Sequence, residues 1–193
     1  MPAKVRSLTI LGVIGGLLIL IAIIMITTYN GLVDMDEDIH AKYSQIENRL
    51  QERSDKINQI VASVSGLQEH AESIYNAITS ARQAYQSADT MEELIAADAA
   101  QAVAFSNFLA VVEDNPNITA TSAYNELIYE ISMMESTLSV ARRDYNLSVQ
   151  NYNASVRRFP RVFFANLFGF DKSYDYWKIN DGADDVPTID FND

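Results

Sequence analysis

From Leu8 to Thr28 the chain reads LTILGVIGGLLILIAIIMITT, 21 residues without a charge. At about 1.5 Å per residue such a helix crosses a hydrocarbon core of roughly 30 Å. Beyond it the pattern changes. Positions 29, 32, 36, 39, 43, 46, 50, 53, 57, 60, 64, 67, 71, 74, 78, 81 and 85 are apolar or aromatic except for Asp36 and Arg53. Alternating steps of three and four give a period of 3.5, which predicts one coiled-coil-like helix over about 30–88.

Ser87-Ala88-Asp89-Thr90 ends that helix, and Asp89 or Thr90 suits the N-cap of the next, with Glu92 and Glu93 in its first turn. The second helix covers about 90–113 along the seam Met91, Ile95, Asp98, Ala102, Phe105, Leu109 and Val112. A turn is predicted at "EDNPN", 113–117, because Pro116 cannot continue a helix. The third helix, about 117–159, carries Ala120, Tyr124, Leu127, Ile131, Met134, Leu138, Ala141, Tyr145, Ser148, Tyr152, Ser155 and Phe159 on its seam, and Pro160 ends it. A short helix at 160–168 closes at Gly169, and an acidic tail occupies 171–193. The expected fold is all-α: an N-terminal transmembrane helix at 8–28 after a short cytoplasmic segment 1–7, then an elongated antiparallel bundle, 29–170, of three long helices plus the short C-terminal one.

Five of the ten tyrosines are followed by asparagine, and Tyr-Asn-x-Ser-Val at 145–149 returns at 152–156. Tyr124, Tyr145 and Tyr152 all fall on the seam, each with its Asn one position off the stripe. The repeat therefore reads as packing: a buried ring whose hydroxyl needs a polar partner, which Ser148 and Ser155 could supply.

Charge adds an orientation. Lys4 and Arg6 precede the span, and the residues after it hold 12 basic and 26 acidic groups, a balance of −14. The positive-inside rule places the N-terminus in the cytoplasm and the helical domain outside. A cleaved signal peptide is the competing reading, but it would have a shorter apolar run, and Thr27-Thr28-Tyr29-Asn30 is a poor cleavage site. Gly12-x-x-x-Gly16 fits a close helix contact within the membrane, or glycines merely tolerated in lipid. Such an acidic chain without a Lys/Arg cluster excludes nucleic acid as a partner. With no cysteine there are no disulfides and no thiolate chemistry.

Chemistry is sparse. His40 and His70 stand about 45 Å apart if they share one helix, too far for a common metal. Glu37-x-x-His40 has di-iron spacing but lacks the second pair such sites need, and "DMDED" at 34–38 lacks the glycine and distal glutamate of a calcium loop. No phosphate loop, nucleophile elbow or triad is recognisable. Neither an enzyme nor a cofactor is expected.

The chain resembles the LemA family of bacterial membrane proteins. The resemblance begins at Tyr29-Asn30-x-Leu32-Val33, runs through "QIENRLQERSDKINQIVASVSG", resumes at "LAVVEDNPNITA" and is strongest in "ESTLSVARRDYNLSVQNYNASVRRFP" with "ANLFGF" behind it. Asn58 and Tyr43 depart from the family's usual proline and tryptophan, and "SVSG" from its Val-Lys-Gly. The resemblance implies a single-span protein of the bacterial inner membrane, with a helical bundle, no cofactor and no established enzymatic activity; some relatives are associated with specialised membranes.

One geometric consequence follows if the helix boundaries hold. The second helix would reach back only to the level of residue 64, and the third would climb past residue 88. Two stripes would then lack partners in their own chain. The lower holds Ile39, Tyr43, Ile46, Leu50, Arg53 and Ile57, and the upper Tyr145, Ser148, Tyr152, Ser155 and Phe159. Unpaired stripes of this length imply homo-oligomers, because every copy carries both surfaces. A membrane-anchored scaffold that self-assembles is the first expectation. Docking on another membrane protein, such as a protease or transporter, is the second.

Overall fold

The computed structural model describes residues 3–63, 71–113 and 122–178. Among them every regular element is helical: α1 (Ala3–Ser63), α2 (Ala71–Gln86), α3 (Met91–Glu113), α4 (Ser122–Val156) and α5 (Arg161–Phe168). No proline falls within 3–63, so the apolar segment passes without a break into the amphipathic one, and α1 runs for 61 residues.

The stretch expected as one helix over 30–88 is instead the later part of α1 followed by α2. Tyr85 near the end of α2 donates to the Glu47 carbonyl, and Ile78 and Ala81 line a small space with Ser54. These pairings run in opposite directions along the chain, so α2 returns antiparallel to α1. The 3.5-residue seam passes in phase from one helix to the next, which is why the pattern hid the reversal. The part of the expected helix between them, 64–70, lies outside the described residues.

The extra reversal inverts the direction of α4. Lys56 pairs with Glu130 at 3.3 Å and Arg53 with Glu135 at 3.2 Å, while the Tyr43 ring lies 6.1 Å from that of Tyr145 and Asp38 accepts from Ser148 at 2.5 Å. Partner numbers rise on α4 as they fall on α1. The helix is antiparallel to α1, and its C-terminal end runs towards the apolar segment.

The chain divides into two compact units. The first is Met1–Tyr43 with Asp144–Tyr176, and the second is Ser44–Arg143 with Trp177–Asp193. In the second, Ile46, Leu50, Ile78, Ala81, Leu94, Ala97, Ala104, Phe108, Leu138 and Ala141 are buried. The α2–α3 hairpin is joined by a capping box. Thr90 Oγ1 accepts from the Glu93 amide, and the Glu93 carboxylate accepts from the amides of Asp89 and Thr90, which holds its pKa below the usual range. In the first unit, Leu32, Ile39, Tyr145, Val149, Tyr152, Val156, Phe164 and Ala165 are buried. Gly169 closes α5 in the left-handed conformation at φ 76°, which glycine adopts without steric cost.

Between Leu8 and Ile26 the side chains of Leu8, Ile10, Leu11, Val13, Leu17, Ile19 and Ile23 are all more than half exposed. An apolar helix left bare on every face is matched to lipid, not to a protein core. A methyl group added at Gly12 or Gly16 would meet no atom within 4 Å, so both sides of that pair stand open.

Candidate functional site

Polar side chains converge at two places. In the second unit Arg53 carries its guanidinium into the interior. It donates to Asp98 Oδ1 at 2.5 Å, the Asp98 carbonyl at 3.0 Å, Gln101 Oε1 at 3.2 Å and Glu135 Oε2 at 3.2 Å. Arg142 donates to the other oxygen of Asp98 and lies 3.5 Å from Glu135. Asp98 is thus held between two guanidinium groups from α1 and α4, and Glu135 bridges the same two at the half-exposed rim. Two cations face two anions, so the charges balance. A buried pair recovers its desolvation cost only when such surrounding hydrogen bonds are present.

Arg53 had been expected in an unpartnered stripe; the chain itself supplies every partner. Those partners lie 45 to 82 residues away, beyond the reach of local pattern. Asp98 is the residue that sequence reasoning passed over. It occupies a seam position of its helix, and two buried seam positions of opposite charge were the available signal.

In the first unit the Tyr-Asn repeat builds a neutral counterpart. Tyr145 donates to the Asp175 carbonyl at 3.0 Å and Tyr152 to the Asp171 carbonyl at 2.9 Å. Asn153 grips the Tyr174 backbone from both sides, donating to its carbonyl at 2.9 Å and accepting from its amide at 2.8 Å. The Tyr174 ring meets Tyr152 edge-on at 5.0 Å, and its hydroxyl donates to Asp36 on α1. Serines are not the hydroxyl partners of the tyrosines, as had been expected: Ser148 donates to Asp38, and Ser155 accepts from Arg161. The beginning of the acidic tail, Asp171 to Tyr176, is therefore packed against α4. In this non-helical segment tyrosine hydroxyls satisfy the carbonyls of Asp171 and Asp175, and Asn153 satisfies that of Tyr174.

Burial acts on these phenols. It pushes Tyr145 up to about 12, with Tyr43 and Asp175 adding to the effect, and Tyr152 up to about 12, with Asp36 and Asp171 adding. Tyr174 is raised as well, by burial first and then by its bond to Asp36. Hydroxyls so protonated and so engaged are structural donors rather than acids or nucleophiles.

The stripe residues expected to lie bare are covered within the chain. Ile39, Ile46, Leu50, Tyr145, Ser148, Tyr152 and Ser155 are buried and Tyr43 is half-buried, because α4 runs back along α1. The absence of partners rested on a three-helix climb, and the added reversal removes it. Phe159 alone of the upper group stays exposed. The side chains of Ile57 and Tyr124, the turn expected at 113–117 beyond Glu113, and His70 lie outside the described residues. His40 stands edge-on to Tyr174, and no group of three or more His, Asp or Glu placed to hold a metal occurs among the described residues. A shallow groove of about 430 Å³ between α2 and α3 is lined by alanines with Ser80, Val103 and Asn107, and offers no titratable group.

The LemA family pattern matches residues 42–191, most of the chain. The chain belongs to the LemA family. This LemA-family chain is also similar to magnetosome protein MamQ 2 and magnetosome protein MamQ 1 of Paramagnetospirillum magneticum, each 24% identical over 96% of the chain and 76% of the relative. Magnetosome protein MamQ of Magnetospirillum gryphiswaldense is 24% identical over 86% of the chain and 70% of the relative. Together with the bare apolar segment of α1, these likenesses mark a LemA protein associated with membranes.

Proposed function

We propose that the protein is a non-catalytic helical scaffold, anchored in the bacterial inner membrane through 8–28, that self-associates at the membrane surface. Lys4 and Arg6 support an orientation with the N-terminus in the cytoplasm and the helical units outside. The observation that carries self-association is a second stripe on α4, away from its buried seam. Tyr129 is 66% exposed, and Met133 and Val140, four and eleven residues further along the same helix face, are about half exposed. Large apolar groups aligned in this way favour a partner, and a second copy of α4 offers a matching surface.

The test is the mass of the full chain in mild detergent, compared with a Tyr129→Glu, Met133→Glu, Val140→Glu variant. The parent is expected as an oligomer and the variant as a monomer of unchanged helicity. A monomeric parent would refute self-association. Recovery of that monomer with a second membrane protein in fixed stoichiometry would favour docking instead.

A further inference from the structure

A different apolar surface lies at the foot of the first unit. Phe159 is 87% exposed, Phe163 63% and Leu167 60%. Phe163 and Leu167 lie one turn apart on α5 and form an exposed apolar edge, and Phe159 stands exposed in the turn before it. The opposite side of α5 is anchored: Phe164 and Ala165 are buried, and Phe168 stacks on Phe164. Tyr29 fixes the height of this element. Its ring meets Phe168 edge-on at 5.1 Å and Phe170 at 5.6 Å, and Tyr29 is the first residue after the uncharged span.

The end of α4 gives the same height independently. Tyr174, in contact with Tyr152, bonds Asp36 of α1. The four residues from Tyr152 to Val156 descend about 6 Å further towards the span. Arg157, Arg158 and Phe159 therefore stand near the level at which the span leaves the bilayer. Arg157 and Arg158 are exposed, and Arg161 begins α5, so three cations fall within 157–161 of an otherwise acidic chain.

We propose that α5 with its preceding turn is an interfacial element that lies in the bilayer surface beside the span. Phe159, Phe163 and Leu167 enter the headgroup–acyl boundary, and Arg157 and Arg158 contact phospholipid phosphates. This is the arrangement of an amphipathic helix at a membrane surface, with apolar groups down and cations at phosphate depth. The occupant is lipid because the surface adjoins the span, and because its cations complement phosphate where the rest of the domain is acidic. A second contact would set the tilt of the span and hold the first unit at a fixed height. The proposal rests on the anchoring of 8–28 in the membrane.

The chain has no cysteine, so single labels are unambiguous. The full chain carrying Phe163→Cys, Leu167→Cys, Leu18→Cys or Ser44→Cys would be spin-labelled and reconstituted in phosphatidylethanolamine–phosphatidylglycerol vesicles. Collision with oxygen and with a nickel chelate then reports depth. Positions 163 and 167 are expected to give an oxygen-to-nickel ratio several-fold above that of position 44, approaching that of position 18. A water-like ratio at 163 and 167, with a lipid-like one at 18, overturns the proposal and leaves the anchor intact. Exclusion of both reagents at 163 and 167 overturns it in favour of a protein partner. A water-like ratio at position 18 refutes the anchor, and the interfacial element with it. Unchanged circular dichroism checks that each exposed replacement has kept the fold.

Discussion

The two units solve one problem by different chemistry. Each joins α1 to an antiparallel α4, and each buries polar atoms in doing so. The second unit uses ions, with Arg53 and Arg142 closing on Asp98. The first uses neutral phenols, with Tyr145 and Tyr152 donating to backbone carbonyls of the segment after α5. An ionic cluster depends on completeness, because one missing member leaves a charge in a low dielectric. A phenol depends mostly on its ring, since the hydrogen bond contributes only about 1 kcal/mol net while the ring fills space. The first unit should therefore respond to changes of volume and the second to changes of charge.

The largest response is expected from removing both rings. Tyr145 and Tyr152 are almost wholly buried, and truncating a buried aromatic typically costs about 3–5 kcal/mol. Tyr145→Ser with Tyr152→Ser should expose residues 144–156 to hydrogen exchange while 91–111 in the second unit stays protected. Retained protection at 144–156 with loss only of self-association would show that the rings serve contacts between copies, and would remove the contrast.

Next is the charge. Asp98→Ala leaves both guanidinium groups with the rim carboxylate of Glu135 as their one anion in the cluster, and breaking a buried pair costs about 3–5 kcal/mol. Arg53→Leu should cost less, because Asp98 keeps Arg142 and the new side chain is apolar. Urea unfolding of the detergent-solubilised chain measures both. A loss below about 1 kcal/mol for Asp98→Ala would mean that water replaces the carboxylate and that the cluster is not effectively dry.

The same contrast explains what the sequence disclosed. The helical class was legible because period 3.5 is a local property, and so was the cap at Thr90 and Glu93. The return of α2 against α1 was not, because the seam keeps its phase into α2. That single omission turned α4 upside down and made two stripes that α4 and α1 jointly cover look unpartnered. The Tyr-Asn repeat was readable as packing, but its acceptors were not, since an Asp-rich tail has the composition of an unstructured one. Asp98 stood in the seam in plain view. Its pairing with Arg53 depends on how α3 meets α1, which no local pattern encodes.

The smallest effect, absent at neutral pH, comes from titration of the first unit's phenols. Tyr145 and Tyr152 each have a folded pKa raised to about 12 from an ordinary value of 10.0. A phenol raised in the folded state is favoured there in its neutral form. Its contribution is fully present below about pH 10 and is lost as pH rises through about 12. Tyr174 shifts in the same direction. Alkali should therefore loosen the packing of Tyr145, Tyr152 and Tyr174 in the first unit. Phenolate absorbance should show a late group of tyrosines whose ionisation coincides with a partial loss of helicity, and Tyr152→Phe should shrink that late step. In Asp98→Ala the late step should keep its midpoint, because none of these phenols bonds to that cluster. If all tyrosines instead ionise together near pH 10 with helicity intact, the phenols of the first unit are open to water, and the contrast between a dry neutral ladder and a dry ionic cluster fails on its neutral side.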